Sequence, residues 1–308
     1  MRARRAITVV CVHAGGEVGN VVVGGVEPPP GETVYERMEA LRADDSLRRF
    51  LLREPRGSVA QHANLIVPSN RDDCVAGYVI MEPTEYPAMS GSNTICVATV
   101  LLEEGLVPMV EPETVVRLEA PAGPVEVRAR CRDGRVESVE IENVASFPAQ
   151  LGAPLEVAGL GTIEVDVAFG GMWYAIADAH ALGFALEPGE ARELCDTGER
   201  IRTAAREQLD CVHPENPGVA GVSIVQLAEP FKGVGETMRN AVVISQADFM
   251  IAQTAAPKRD FHQRALLVLA DDTDLRRRAA DDRFGRKVRH AAKLAVDIDV
   301  FAVGQGRE

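Results

Sequence analysis

The sequence predicts an α+β protein made of two similar lobes, on two observations. An order of strands, helix and strands occupies the first half and begins again near residue 161. One segment, 94–105 (TICVATVLLEEG), is apolar nearly all round over three turns, as a buried helix is.

The elements follow in order. Residues 6–12 and 20–26 are apolar and β-branched around a Gly-rich turn, which predicts strand, turn, strand. Pro28-Pro29-Pro30 ends that unit, because proline has no N–H to give a sheet. Val34, Met38, Leu41, Leu47, Phe50 and Leu51 recur among charges with the spacing of one amphipathic helix or two short ones, closed by Pro55 and Gly57. Strands are expected at 62–68 and 75–82. After the apolar helix, VVRLEA, VEVRARC and VESVEIENV read as strands, with Asp133-Gly134 a hairpin turn. Residues 145–160 read as a crossover between lobes. Strands at 162–168 and 172–178 flank Gly170-Gly171, a helix runs over 188–208 from Pro188, and GVSIVQLA at 221–228 is a further strand.

The chain has 308 residues, 46% hydrophobic and 26% charged, the balance of a soluble globular protein. The basic tip and apolar run MRARRAITVVCV imitate a signal peptide, but no A-x-A site follows, so the run reads as the first strand. No apolar stretch approaches a membrane span. A net charge of −13 argues against nucleic acid, which wants a basic face, but leaves room for a small anionic ligand in a local pocket. Cys11, Cys74, Cys96, Cys131, Cys195 and Cys211 form no C-x-x-C pair and no metal-ligand spacing. Reduced thiols and a cytoplasmic location are the expectation.

The most informative segment is the loop Pro83–Asn93 that feeds the apolar helix. Ser92 or Asn93 is the expected N-cap and Gly105 the expected stop. Free backbone N–H groups and the positive end of the helix dipole make such a start a site for a carboxylate.

At these residues the sequence resembles the proline racemase family, which includes hydroxyproline 2-epimerases and trans-3-hydroxy-L-proline dehydratases. The matching stretches are HAGGE at 13–17 with Gly19 and VVVGGV, GYVIMEPTEYPAMSGSNTICVATVLLEEG at 77–105 and LEAPAGPVEV at 118–127. AFGGMWYAIADAHALG at 168–183, CVHPENP at 211–217 and GETMRNAVVI at 235–244 continue the series. The resemblance implies two pseudo-symmetric lobes, each a curled sheet around a central helix, as in diaminopimelate epimerase, with the active site in the cleft between them. It implies no cofactor and no metal, a hydroxyproline or proline as small-molecule substrate, no nucleic-acid or membrane partner, and a possible homodimer.

In the family each lobe supplies one acid/base residue to the substrate α-carbon, commonly a cysteine, from M-C-G-H-type and D-R-S-P-C-G-T-G-type motifs. Here the first motif reads Met89-Ser90-Gly91-Ser92-Asn93, so Ser90 stands at the cysteine position and Ser92 at the histidine position. This resembles the branch with serine in the first lobe. It implies Ser90 as the catalytic residue, with Gly91, Ser92 and Asn93 binding the substrate; His213, in a Pro-containing loop after the long helix, is a further substrate-binding candidate because loops carry function more often than cores do. A lone serine with no evident activating base abstracts protons poorly but can donate a hydrogen bond or relay a proton.

The second motif is absent, and no cysteine follows Cys211. Only three of the 27 glycines and one of the 18 prolines fall in 246–308, too few for the turns of a β-rich lobe. The expected division is a first lobe at 1–150, an incomplete second lobe at 151–245 and a divergent tail at 246–308, arising from a frameshift, a fusion or a decayed frame. The leading expectation is trans-3-hydroxy-L-proline dehydration to 1-pyrroline-2-carboxylate, for which one base suffices. The alternatives are 4-hydroxyproline 2-epimerisation and an inactive relative that binds proline-like ligands. His13, Cys211, Cys96 and the pair Asp260 and His262 have structural readings beside functional ones, and Arg276-Arg277-Arg278 reads as a solvated helix face.

Overall fold

The computed structural model describes residues 6–229, 240–243, 252–254 and 293–294. The chain divides into two compact α+β units, one built on residues up to Val144 and the other beginning at Ala145.

The first unit contains β1 (Thr8–Val10), β2 (His13–Ala14), β3 (Glu17–Gly24), α1 (Val34–Ala43), α2 (Ser46–Leu52), β4 (Gln61–Val67), β5 (Ala76–Met81), α3 (Gly91–Glu103), β6 (Glu113–Ala120), β7 (Gly123–Arg132) and β8 (Arg135–Glu142). The strand order is β1-β3-β4-β5-β6-β7-β8, with β2 on β3. Along β6 and β7 buried and open residues alternate, as a sheet with one dry face requires. Strand β5 is buried throughout. Its Tyr78 and Ile80 join the core around α3, and its Val79 and Met81 join a second core under α1 and α2. Helix α3 packs on both β3 and β8, which lie far apart in the strand order, so the sheet curls round it. The expected helix over 34–53 is thus two short ones, the first closed at its start by a capping box between Thr33 and Glu36.

The second unit contains β9 (Phe147–Val157), β10 (Gly161–Phe169), β11 (Trp173–Asp178), α4 (Ala191–Gln208), β12 (Ile224–Ala228), β13 (Asn240–Val243) and β14 (Ala252–Thr254). They form one sheet in the order β14-β13-β12-β11-β10-β9. Residues 145–160, expected as a crossover, form strand β9 instead. Pro148 and Pro154 disguise it, and they are tolerated because β9 is the edge strand of this sheet. Helix α4 buries Leu194, Cys195, Ile201 and Ala205 toward β9, β12 and β13. Gly198 lets it approach β13, since a Cβ there would lie 2.5 Å from Val243 Cγ2.

The two units repeat a topology. In the first, β3 runs parallel to β4 across α1 and α2, and β5 returns antiparallel. In the second, β11 runs parallel to β12 across α4, and β13 returns antiparallel. Helix α4 therefore corresponds to α1 and α2. By the same order, the place corresponding to α3 falls after β13, outside the described residues. The expected tail over 246–308 lies outside the described residues except for 252–254 and 293–294, and Asp260, His262 and Arg276–Arg278 lie outside them entirely. Among the described residues no helix is long and apolar enough to cross a membrane.

Candidate active site at the head of the buried helix

Ten of the thirteen residues of α3 are buried, so the helix has nowhere to start but at the edge of the core. The N-cap is Ser90, not Ser92 or Asn93 as expected, with extended backbone at φ −150° and ψ 125°. Its carbonyl is pinned by the Thr94 hydroxyl at 2.7 Å, and Thr94 Oγ1 lies 2.5 Å from the hydroxyl of buried Tyr78. Gly105, at φ 67°, stands just past the end, as expected of a helix stop.

The Ser90 hydroxyl makes no capping hydrogen bond. Instead Asn93 Nδ2 donates to it at 2.9 Å, and Ser92 Oγ lies 3.2 Å away. The first-turn amides are left uncapped by the N-cap side chain, at the positive end of the helix dipole. Ser90, Gly91 and Ser92 are partly accessible, whereas Asn93 is fully buried. The Asn93 side chain points inward: Asn64 Nδ2 donates to its Oδ1 at 2.7 Å, and its Nδ2 lies 3.2 Å from His62 Nδ1. Of the residues expected to grip a carboxylate, Gly91 and Ser92 are the ones open to a ligand.

Beneath this turn lies a cluster of charged groups that sequence reasoning missed. Ser92 Oγ donates to Glu17 Oε1 at 2.8 Å. His62 Nδ1 lies 3.2 Å from the same Glu17 oxygen and 3.8 Å from Glu82 Oε1. Burial works against a charged His62, but the hydrogen bond to Glu17 and the charge of Glu82 outweigh it and raise its pKa. Burial pushes the Glu82 carboxyl up; the charge of His62 opposes that and Glu17 adds to it. One ring nitrogen cannot both donate to Glu17 and accept from Asn93. The raised pKa favours the protonated ring, which gives its Nδ1 proton to Glu17. Asn93 then has Ser90 as its acceptor. His62 and Asn64, two apart on β4, share one face of the strand, the one sequence signal that could have paired them.

The remaining candidates have other surroundings. Burial pushes the Cys96 thiol up to about 12, so it is a core group and not a base. Cys211 is buried and its pKa is also raised by burial. His13 Nδ1 accepts from the Gly16 N–H at 3.2 Å and so secures a turn. His213 belongs to the second unit. Its Nδ1 accepts from the N–H groups of Glu215 and Asn216, each at 3.2 Å, and its ring lies 4.6 Å from that of Phe169. That leaves Nε2 as the donor, and burial lowers its pKa, so the neutral ring is favoured. Among the described residues, no group of three or more His, Cys, Asp or Glu side chains could hold a metal ion.

A hydroxyl with a donor on its oxygen, above a carboxylate and beside open helix-head amides, can move a proton next to a bound carboxylate. The model of the family described as proline racemase matches residues 9–250. A hydroxyproline epimerase from Agrobacterium vitis, solved with bound trans-4-hydroxy-L-proline, is 38% identical. That match covers 79% of this chain and 72% of the other, with a TM-score of 0.73. A probable proline racemase from Agrobacterium radiobacter K84, solved with bound carbonate, is 37% identical over 80% of this chain and 72% of the other, with a TM-score of 0.73. The uncapped helix head at Ser90, the repeated topology of the two lobes and the match over most of the chain agree: this protein belongs to the proline racemase family.

Proposed function

We propose that the chain is an isomerase acting at the α-carbon of a hydroxyproline, with 2-epimerisation of a 4-hydroxyproline as its reaction. The observation that carries this is the Ser90 hydroxyl, held by Asn93 at the uncapped start of α3. The likeness to a hydroxyproline epimerase supplies the substrate class. In this reading the N–H groups of Gly91 and Ser92 take the substrate carboxylate, and Ser90 exchanges a proton with the α-carbon. The charge left on the α-carbon spreads into that carboxylate, where helix-head donors stabilise it.

Dehydration of trans-3-hydroxy-L-proline is the second reading. It is favoured by one observation: no cysteine follows Cys211, so the second acid/base that inversion wants has no thiol candidate there. The elimination needs only one base, because the 3-hydroxyl leaves in place of a returning proton.

Incubation with trans-4-hydroxy-L-proline in D2O, followed by proton NMR and optical rotation, tests the proposal. Loss of the α-proton signal with inversion supports the isomerase. Pyrroline formation from trans-3-hydroxy-L-proline supports the dehydratase. Silence on both, with retained binding of pyrrole-2-carboxylate, leaves a protein that only binds the ligand.

A further inference from the structure

The family motif places a histidine two residues after its first-lobe acid/base residue, and this chain has Ser92 there. The substitution removes the obvious activator of Ser90, yet the hydroxyl is not isolated. We infer that Glu17 is the proton acceptor behind Ser90, reached through the Ser92 hydroxyl.

The direction of the chain follows from counting hydrogens. Ser92 has one hydroxyl proton, and it goes to Glu17 Oε1 at 2.8 Å, because an ionised carboxylate can only accept. In the 3.2 Å contact between the two serines Ser92 is therefore the acceptor and Ser90 the donor. Asn93 Nδ2 donates to Ser90 Oγ at 2.9 Å, which occupies one lone pair of that oxygen and leaves its proton free to point at Ser92. Every link thus runs one way, from Ser90 to Ser92 to Glu17. The Ser90 to Ser92 link is long for a hydroxyl pair and has room to shorten when a ligand binds.

The surroundings suit a base at Glu17. His62 Nδ1 lies 3.2 Å from the accepting oxygen, so a protonated ring gives the carboxylate a charged donor that holds it in place. Glu82 lies 3.8 Å from the same nitrogen and shares its charge, so Glu17 is not quenched by a private ion pair. Gly19, two residues beyond Glu17 on β3, leaves room for Asn93 to reach Ser90; a Cβ there would lie 2.8 Å from Asn93 Oδ1.

The step balances. The α-proton of the substrate passes to Ser90 Oγ as the Ser90 proton moves to Ser92 Oγ and the Ser92 proton to Glu17. The electron pair of the broken C–H bond stays on the α-carbon and spreads into the substrate carboxylate. Reversal returns one proton from Glu17 to the carbon. The Ser92 hydroxyl and the Glu17 carboxylate act through Ser90 and touch no substrate atom. The catalytic consequence rests on the role of Ser90 proposed above, but the activation of Ser90 does not.

The test therefore reads Ser90 itself. A sulfonyl fluoride such as phenylmethanesulfonyl fluoride forms a bond from Ser90 Oγ to sulfur and expels fluoride, while the serine proton leaves along the same path. Labelling is followed on the Ser90 peptide by mass spectrometry, with Ser90→Ala as the blank. We expect Glu17→Gln and Ser92→Ala to slow labelling at least 10-fold, and Ser92→Thr, which keeps the hydroxyl, to retain it. A second background separates relay from scaffold. In Ser90→Cys protein the thiol ionises without help, so adding Glu17→Gln leaves its alkylation by iodoacetamide undiminished. Equal labelling of wild type and Glu17→Gln overturns the inference, as does an unlabelled Ser90 or an equal slowing in both backgrounds. If Ser90 labels as expected while no hydroxyproline exchanges its α-proton, the substrate reading fails and the relay stands.

Discussion

Gly19 and Asn93 meet where strand β3 crosses the first turn of α3, and the absence of a side chain on one allows the amide of the other to be there. A Cβ at residue 19 would stand 2.8 Å from Asn93 Oδ1 and 2.9 Å from Cys96 Sγ, closer than real Cβ atoms approach. Both neighbours are fully buried. Gly19→Ala is expected to cost about 1–3 kcal/mol, the usual range for an overpacked site. It also turns the Asn93 amide away from Ser90. Urea denaturation measures the first effect. The rate of α-proton exchange, or of Ser90 sulfonylation, measures the second. A variant of wild-type stability would show that Asn93 is not held as described.

Asn93→Ala, set beside Asn64→Ala, separates these two effects. It leaves Asn64 Nδ2 with only its longer bonds to the Gly19 and Asn20 carbonyls, at 3.2 and 3.5 Å, and Ser90 without its 2.9 Å donor. Losing one hydrogen bond of a donor that keeps other acceptors costs about 1 kcal/mol. Ser90 is partly open to water, so its loss is chemical rather than energetic. The expected outcome is a lower denaturation midpoint together with a slower Ser90 reaction. Asn64→Ala shares the stability loss and affects Ser90 less.

Much of this site was legible because it is local. The apolar run at 94–105 and the loop before it mark a buried helix with an open start, and the structure has one at Gly91–Glu103. The cap fell two or three residues from its expected place because N-cap preferences assume a side chain that accepts from the helix amides. Ser90 does not accept from them; its oxygen is taken by Asn93. Glu17 and Ser92 are 75 residues apart, and no periodicity joins them, so only the curl of the sheet brings the carboxylate under the hydroxyl. Strand β9 was illegible for a different reason. Its prolines argue against a strand in general but not against an edge strand, and edge position is a property of the assembled sheet.

The charged cluster predicts how stability varies with pH. The His62 pKa is raised above 6.5 in the folded state, by Glu17 and Glu82 against burial. The folded state therefore binds the proton more tightly than the unfolded chain. Its contribution is fully present below 6.5 and is lost as pH rises through the folded value. Glu82, raised by burial, acts with the same sign from 4.5 upward. Melting temperature should fall as pH rises from mildly acidic to alkaline, and His62→Gln should flatten that decline. A wild-type profile that rises through this window would contradict the assignment.

Thiol chemistry should sort the cysteines by burial. Cys11 is exposed and Cys96 is buried with its thiol pushed up to about 12. Brief treatment of the native protein with iodoacetamide near neutral pH should alkylate Cys11 and spare Cys96, because only the thiolate reacts. Peptide mapping reads this directly. Early modification of Cys96 would mean that the core around α3 opens far more readily than its packing implies.

Gln226 offers a stabilising substitution in the second unit. It sits on β12 between Ile176 of β11 and Val242 of β13, 1% exposed. Among the described residues, neither its Oε1 nor its Nε2 has a hydrogen-bond partner. Desolvating an amide without compensation costs about 1–3 kcal/mol on mutational scales. Methionine has a similar length, bends to fit irregular space and carries no such penalty. Gln226→Met should therefore raise the denaturant midpoint, by an amount equivalent to about 1 kcal/mol or more. Gln226→Glu keeps the shape but adds a charge in the same dry position, and it should lower the midpoint by more than methionine raises it. If methionine destabilises instead, Gln226 has a polar partner that holds it in the sheet, and the amide is structural.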